Sequence, residues 1–195
     1  MKNKDVWVEV MALTYLATSS ASGSGEETLG FTANINDTYD AYEFHLANLH
    51  PENGSVQIAF QVDTTGTSYD QNICSTFFRA KLHEDDSDEE VAYQGSFDQA
   101  DGDGYQVLCN DVGNEDDETV SGTLTLYAPA DDTYVKHFQS RMIEVHESDI
   151  LMDSFCSGYI NQTDEITKIR FAFVNDSLAR DGKIMTGKIH MYGVG

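Results

Sequence analysis

Apolar and polar positions alternate with a period of two in stretch after stretch of this chain. In SVQIAFQVD (55–63), Val56, Ile58, Phe60 and Val62 fall on one side and Gln57, Ala59 and Gln61 on the other, the pattern of a half-buried strand. AYEFHLANL groups Tyr42, Phe44 and Leu46; GTLTLYA contributes Leu124 and Leu126; ITKIRFAFV contributes Ile169, Phe171 and Phe173. TYVKHFQ sets Tyr134, Lys136 and Phe138 against Val135 and His137. Residues 6–11 read as the first strand and TSSASGSG as a flexible connection after it. Each strand-like stretch is rich in β-branched or aromatic residues and bounded by Gly, Asn, Asp or Ser.

The closing TGKIHMYGVG (186–195) alternates too, with Ile189 and Met191 against Lys188, His190 and Tyr192. It predicts the second arm of a hairpin with ITKIRFAF, turned through residues 180–183. Ile189 and Met191 would then face the core beside Phe171 and Phe173.

No window carries a sustained helical stripe with a cap at its start and Gly at its end. EDDSDEE (84–90) has no apolar face to hold a helix, and it reads, with NEDDE (114–118), as a long acidic surface loop. Pro51 and Pro129 mark places where a strand stops and turns. No repeat of solenoid or propeller period is visible. The fold class expected is all-β: an antiparallel β-sandwich, jelly-roll-like, with long acidic loops. Residues 1–25 form an N-terminal attachment segment with the first strand, and residues 26–195 a single sandwich domain.

Charge changes the list of partners. The chain has 34 Asp and Glu against 11 Lys and Arg, a net charge of -23. That field repels phosphate backbones and anionic lipid, so neither nucleic acid nor membrane is an expected partner. No run approaches the roughly 18 apolar residues of a membrane span. The 40% hydrophobic share and ten Tyr with ten Phe argue for a folded chain rather than a disordered acidic one.

Candidate chemistry is thin. Cys74, Cys109 and Cys156 lie far apart with no CxxC pair, which reads as buried free thiols ahead of one disulfide with a spare. QADGDG (99–104) imitates part of a calcium loop, but Gln99 and Asn110 replace the acids of its first and twelfth positions. A different calcium loop drawn from Asp98, Asp101, Asp103 or Asp111 stays an alternative to an ordinary Asp-Gly turn. There is no GxSxG elbow. His45, His50, His83, His137, His146 and His190 show no paired ligand spacing, and His45, His137 and His190 sit in strand-like segments as surface or satisfied histidines. With 34 acids, a carboxylate pair suited to glycoside hydrolysis carries no weight. Tyr69, Tyr93 and Tyr105 lie in turn-rich stretches where a ring can meet a sugar. The sequons at Asn36, Asn53, Asn161 and Asn175 say little, since Asn-x-Ser/Thr is common in turns. The residues therefore assign no catalytic, cofactor-binding or metal site and no cofactor, and the chain is expected not to be an enzyme.

Several segments taken together carry a resemblance: TYDAYEFHLANLHPENGSVQIAFQVDTTG (38–66), STFFRAKLHEDDSDEE (75–90), SGTLTLYAPADDTYVKHF (121–138), SGYINQTDEITKIRFAF (157–173) and GKIHMYGVG (187–195), with Trp7 in an opening strand. The chain resembles virion structural proteins of tailed marine bacteriophages, of the decoration or fibre β-domain type. The resemblance implies a non-enzymatic protein on the exterior of the phage particle, a capsid decoration (cement) or fibre-like protein assembling as a homotrimer with other capsid or tail proteins. Its alternative is a carbohydrate- or receptor-binding module of a tail fibre or adhesin that meets a host-surface glycan. The chain departs from that pattern in having no long fibre stalk and in reading RFAFVNDSLARDGK where relatives carry a shorter turn.

Overall fold

In the computed structural model, residues 12–64, 66 and 68–195 are described. Thirteen strands run along them in the order β1 (Leu13–Ala21), β2 (Leu29–Phe31), β3 (Ala41–Pro51), β4 (Gln57–Asp63), β5 (Ile73–His83), β6 (Glu89–Tyr93), β7 (Ala100–Gly102), β8 (Gln106–Val107), β9 (Val120–Tyr127), β10 (Lys136–His146), β11 (Ile150–Ile160), β12 (Lys168–Val174) and β13 (Ile184–Val194). The described residues contain no helix, as expected from the absence of a helical stripe.

The strands make two antiparallel sheets packed face to face. The larger has nine strands in the order β1-β13-β3-β9-β10-β11-β5-β6, with β7 also on β5; the smaller has the order β2-β12-β4-β8. This is the all-β sandwich that the alternation predicted. Nine strands against four are unlike the paired four-stranded sheets of a jelly roll, so the fold stands here as an antiparallel β-sandwich.

Aromatic rings hold the sheets together. Phe44 on the large sheet meets Phe171 on the small one at 5.7 Å between ring centroids, and Phe138 meets Phe60 at 5.1 Å. Tyr42, Phe44, Leu46, Leu124, Leu126, Ile169, Phe171, Phe173, Ile189 and Met191 are all buried, on the sides that the sequence assigned to them.

Four expectations need correction. The hairpin between ITKIRFAF and the last strand does not form. β12 pairs with β2 and β4 in the small sheet, so both of its edges are taken. The chain then crosses the sandwich, and β13 inserts between β1 and β3 in the large sheet. Ile189 and Met191 still point into the core, because side-chain alternation is a property of the strand and not of its neighbour.

The TSSASGSG stretch is not wholly a connection, since Thr18–Ala21 belong to β1 and pair with Gly187–His190 of β13. The strand read at residues 6–11, with Trp7, lies outside the described residues. The acidic loop at 84–90 is shorter than expected, because Glu89 and Glu90 begin β6. Finally, β4 is buried on both faces rather than one. Loops cover the outer face of the small sheet there, and most of its polar side chains find partners beneath them, although Gln57 Oε1 and the Tyr105 hydroxyl have none among the described residues. Gln61 Oε1 accepts from Arg170 at 2.6 Å, Arg170 stacks under Tyr69 and Tyr105, and Lys168 Nζ lies 2.9 Å from Asp63.

Candidate functional site

The outer face of the large sheet carries the features that a packed core does not explain. Along β10 burial alternates strictly from Lys136 to Glu144. Lys136, Phe138, Ser140, Met142 and Glu144 therefore point inward, while His137, Gln139, Arg141 and Ile143 point out. Register extends the outward set across the neighbouring strands: Thr123 and Thr125 on β9, Phe155, Ser157 and Tyr159 on β11, and Thr76 and Phe78 on β5.

Among the described residues, ten large hydrophobic side chains are exposed, and all but Tyr134 stand on this one face: Leu13, Tyr15, Phe78, Leu82, Val91, Tyr93, Tyr127, Ile143 and Leu151. Scattered exposed apolar residues need no explanation, but a shared face does.

Two adjoining depressions of about 390 and 490 Å³ form a groove across this face, meeting at Gln139 and Ser157. Phe78 and Phe155, cross-strand partners, stack at 4.8 Å with planes 5° apart. Arg141 lies over the Phe155 ring at 5.2 Å and forks onto Asp153, Nε to Oδ1 at 2.9 Å and Nη2 to Oδ2 at 2.7 Å. That carboxylate raises the guanidinium pKa further. At the other end Tyr127, His137 and Tyr159 surround the second depression, and the hydrogen bond between Tyr159 and Cys74 raises the phenol's pKa. Gly158 in its floor is dictated by close approach, since a Cβ there would lie 2.2 Å from the Cys74 carbonyl oxygen. Among the described residues, no Asp or Glu lines either depression.

A second group lies on β1, β13 and β3 of the same face. His45 and His190 are direct register partners, and Tyr192 is partnered with Glu43 and Tyr15. His45 Nε2 is 2.7 Å from Glu43 Oε2, and His190 Nδ1 is 2.7 Å from Thr18 Oγ1.

The residues singled out from sequence are dispersed. Asp98 accepts from the Tyr93 hydroxyl and Asp101 from Asn161, while Asp111 is held by Gln57 and Asn110 near His146. Burial works against the Asp111 carboxylate, but hydrogen bonds from His146 and Gln57 outweigh it and its pKa is lowered. Asp98, Asp101 and Asp111 thus serve separate local networks, Asp103 takes part only through its backbone carbonyl, which accepts from Gln61, and no group of three or more potential ligands is assembled among the described residues. Of the candidate sugar-contacting tyrosines, Tyr93 is exposed on β6, whereas Tyr105 is buried and Tyr69 covers Arg170. All three cysteines are free, Cys109 and Cys156 buried, and Cys74 at the groove.

Sequence reasoning missed Arg141, Phe155, Phe78, Gln139 and Tyr159. The outward positions of β10, β11 and β5 hold Phe, Ile and Leu as well as polar residues, which erases the polarity contrast. The available signal was the strict alternation in KHFQSRMIE, which continues beyond His137.

No protein-family model matches the chain, and no curated protein matches it. Among solved structures it is similar to the crystal structure of alginate lyase vAL-1 from Chlorella virus, at 9% identity over 94% of this chain and 89% of that one, with a TM-score of 0.27. This corrects the expectation of a phage virion structural protein, decoration or fibre. The comparisons give no link to a virion component, and the structure they find is titled as an enzyme. A likeness that weak carries no argument about the activity of this chain.

Proposed function

We propose that this protein binds a carbohydrate chain laid across the outer face of its large sheet, without turning it over. The observation that supports this reading is the composition of the groove. Stacked and flanking aromatic rings suit the apolar faces of sugars. Thr76, Thr123, Thr125, Gln139 and Ser157 offer neutral donors and acceptors for hydroxyl groups. The Arg141 guanidinium in the groove is already paired with Asp153. Among the described residues, no carboxyl pair lines the groove to act as acid and base.

The test is a panel of neutral and acidic oligosaccharides on an array, followed by calorimetry on the hits. Phe155→Ala or Tyr159→Ala should weaken binding by about tenfold, the equivalent of about 1.4 kcal/mol. Absence of binding to every oligosaccharide at millimolar concentration would sink the reading.

A second reading concerns the aliphatic end of the face, where Leu82, Val91, Ile143 and Leu151 cluster beside the groove. Apolar exposure of this kind suits contact with further copies of the chain, as in the homotrimer anticipated from sequence. Light scattering decides it: a mass of one chain at all concentrations removes the oligomer.

A further inference from the structure

The His45 and His190 pair lies outside the groove and is not needed by it. These residues are opposite one another on antiparallel strands β3 and β13, with both side chains on the exposed face. Cross-strand partners carry Cβ atoms about 4.5–5.5 Å apart, a span across which two imidazoles can share one ion.

Each ring is already held through one nitrogen. His45 Nε2 lies 2.7 Å from the Glu43 carboxylate. His190 Nδ1 lies 2.7 Å from the Thr18 hydroxyl, which is itself 2.9 Å from the Tyr15 hydroxyl. Anchoring of one ring nitrogen by a carboxylate or hydroxyl is how metal-bound histidines are oriented, and in the neutral tautomer whose anchored nitrogen carries the proton the other nitrogen keeps its lone pair. Here those are His45 Nδ1 and His190 Nε2.

We propose that His45 and His190 form a cross-strand site for a divalent transition-metal ion of the imidazole-seeking class, copper(II), nickel(II) or zinc(II). Glu43 and Thr18 are positioning residues. Imidazole ligands select these ions over calcium and magnesium, which prefer all-oxygen shells. The net charge of -23 raises the local concentration of any cation. Water completes the coordination, since no third His, Cys, Asp or Glu joins the pair among the described residues.

The experiment titrates the chelator-stripped full chain with copper(II), nickel(II) and calcium chloride, read by calorimetry and, for copper, by electron paramagnetic resonance. One copper ion per chain is expected, with hyperfine coupling to two imidazole nitrogens, and copper should bind more tightly than nickel. His45→Gln and His190→Gln should each abolish the two-nitrogen signature and weaken binding by about tenfold or more, and Glu43→Gln by about tenfold. His137→Gln, on the same face but away from the pair, should change neither. These side chains are partly exposed, so thermal melts that match the parent protein separate loss of ligand from loss of fold. No copper binding, or a two-nitrogen signature that survives both His45→Gln and His190→Gln, overturns the proposal.

Discussion

Glu144 is a carboxylic acid held away from water in the core of the sandwich. It is 1% exposed, its Oε1 accepts from the Asn110 amide at 2.9 Å and the Ser154 hydroxyl at 3.0 Å, and its Oε2 has no partner. Burial pushes its pKa up from 4.5 to about 8, against the opposing pull of those hydrogen bonds and of Arg79. The folded protein therefore holds a proton between about pH 4.5 and 8 that the unfolded chain has released. Its contribution to stability is fully present below that window and falls as pH rises through it, by up to about 1.4 kcal/mol per pH unit. Glu144→Gln keeps an acceptor, adds a donor and cannot ionise. Urea midpoints for the two proteins at acidic, neutral and mildly alkaline pH should converge or cross in favour of the variant as pH rises; a difference that stays constant with pH would refute the assignment. Lys136 shows a different solution to burial. Its ammonium donates to the carbonyls of Thr163 at 2.6 Å and Tyr134 at 3.1 Å, and burial lowers its pKa while Asp131, Asp164 and neighbouring acids resist. The period-two reading had already put Lys136 on the same side as Phe138, but only the two carbonyls explain how a lysine can stay there.

At the level of elements, the groove floor rests on the close approach of β11 to β5 at Gly158. Gly158→Ala would push a methyl group to within 2.2 Å of the Cys74 carbonyl and 2.8 Å of Ser75 Cα, both backbone atoms that cannot swing aside. The expected cost is about 1–3 kcal/mol, visible as a lower melting temperature; a variant as stable as the parent would show that β5 and β11 separate freely. Strands and their inward faces were legible in sequence wherever one face met the core and the other met polar groups, as in β3, β9, β12 and β13. Pairing was not, because alternation says which way a side chain points and nothing about which strand lies alongside. The hairpin expected between β12 and β13 failed for that reason, and His45 could not be placed opposite His190. β4 misled in the other direction: Gln57 and Gln61 looked solvated, yet loops remote in sequence bring Asp111 and Asp176 to Gln57, and Arg170 of the neighbouring β12 reaches Gln61. The groove was hidden because its floor mixes Phe, Thr and Gln on one face, which no periodic template singles out.

On the scale of the whole molecule, two forces oppose each other. The rings that cross between the sheets hold it together, so Phe171→Ala should cost about 3–5 kcal/mol, measured by chemical denaturation; a loss under about 1 kcal/mol would mean that the sheets are held by something else. Self-repulsion from a net charge of -23 works the other way. Raising sodium chloride from about 0.02 M to about 0.5 M shortens the screening length several-fold, and the melting temperature should rise. A fall would mean that the ion pairs outweigh the repulsion. The place of β13 has a consequence for how the chain folds. β1 and β3 do not touch as neighbours in the large sheet; β13 lies between them, joining Leu13 to Val194 and Ala41 to the same residue. Until β13 pairs, the facing edges of β1 and β3 carry backbone donors and acceptors that no other strand of this sheet satisfies. Closing that gap takes contacts between residues far apart in sequence, Leu13 with Val194 among them, the kind of pairing that slows folding.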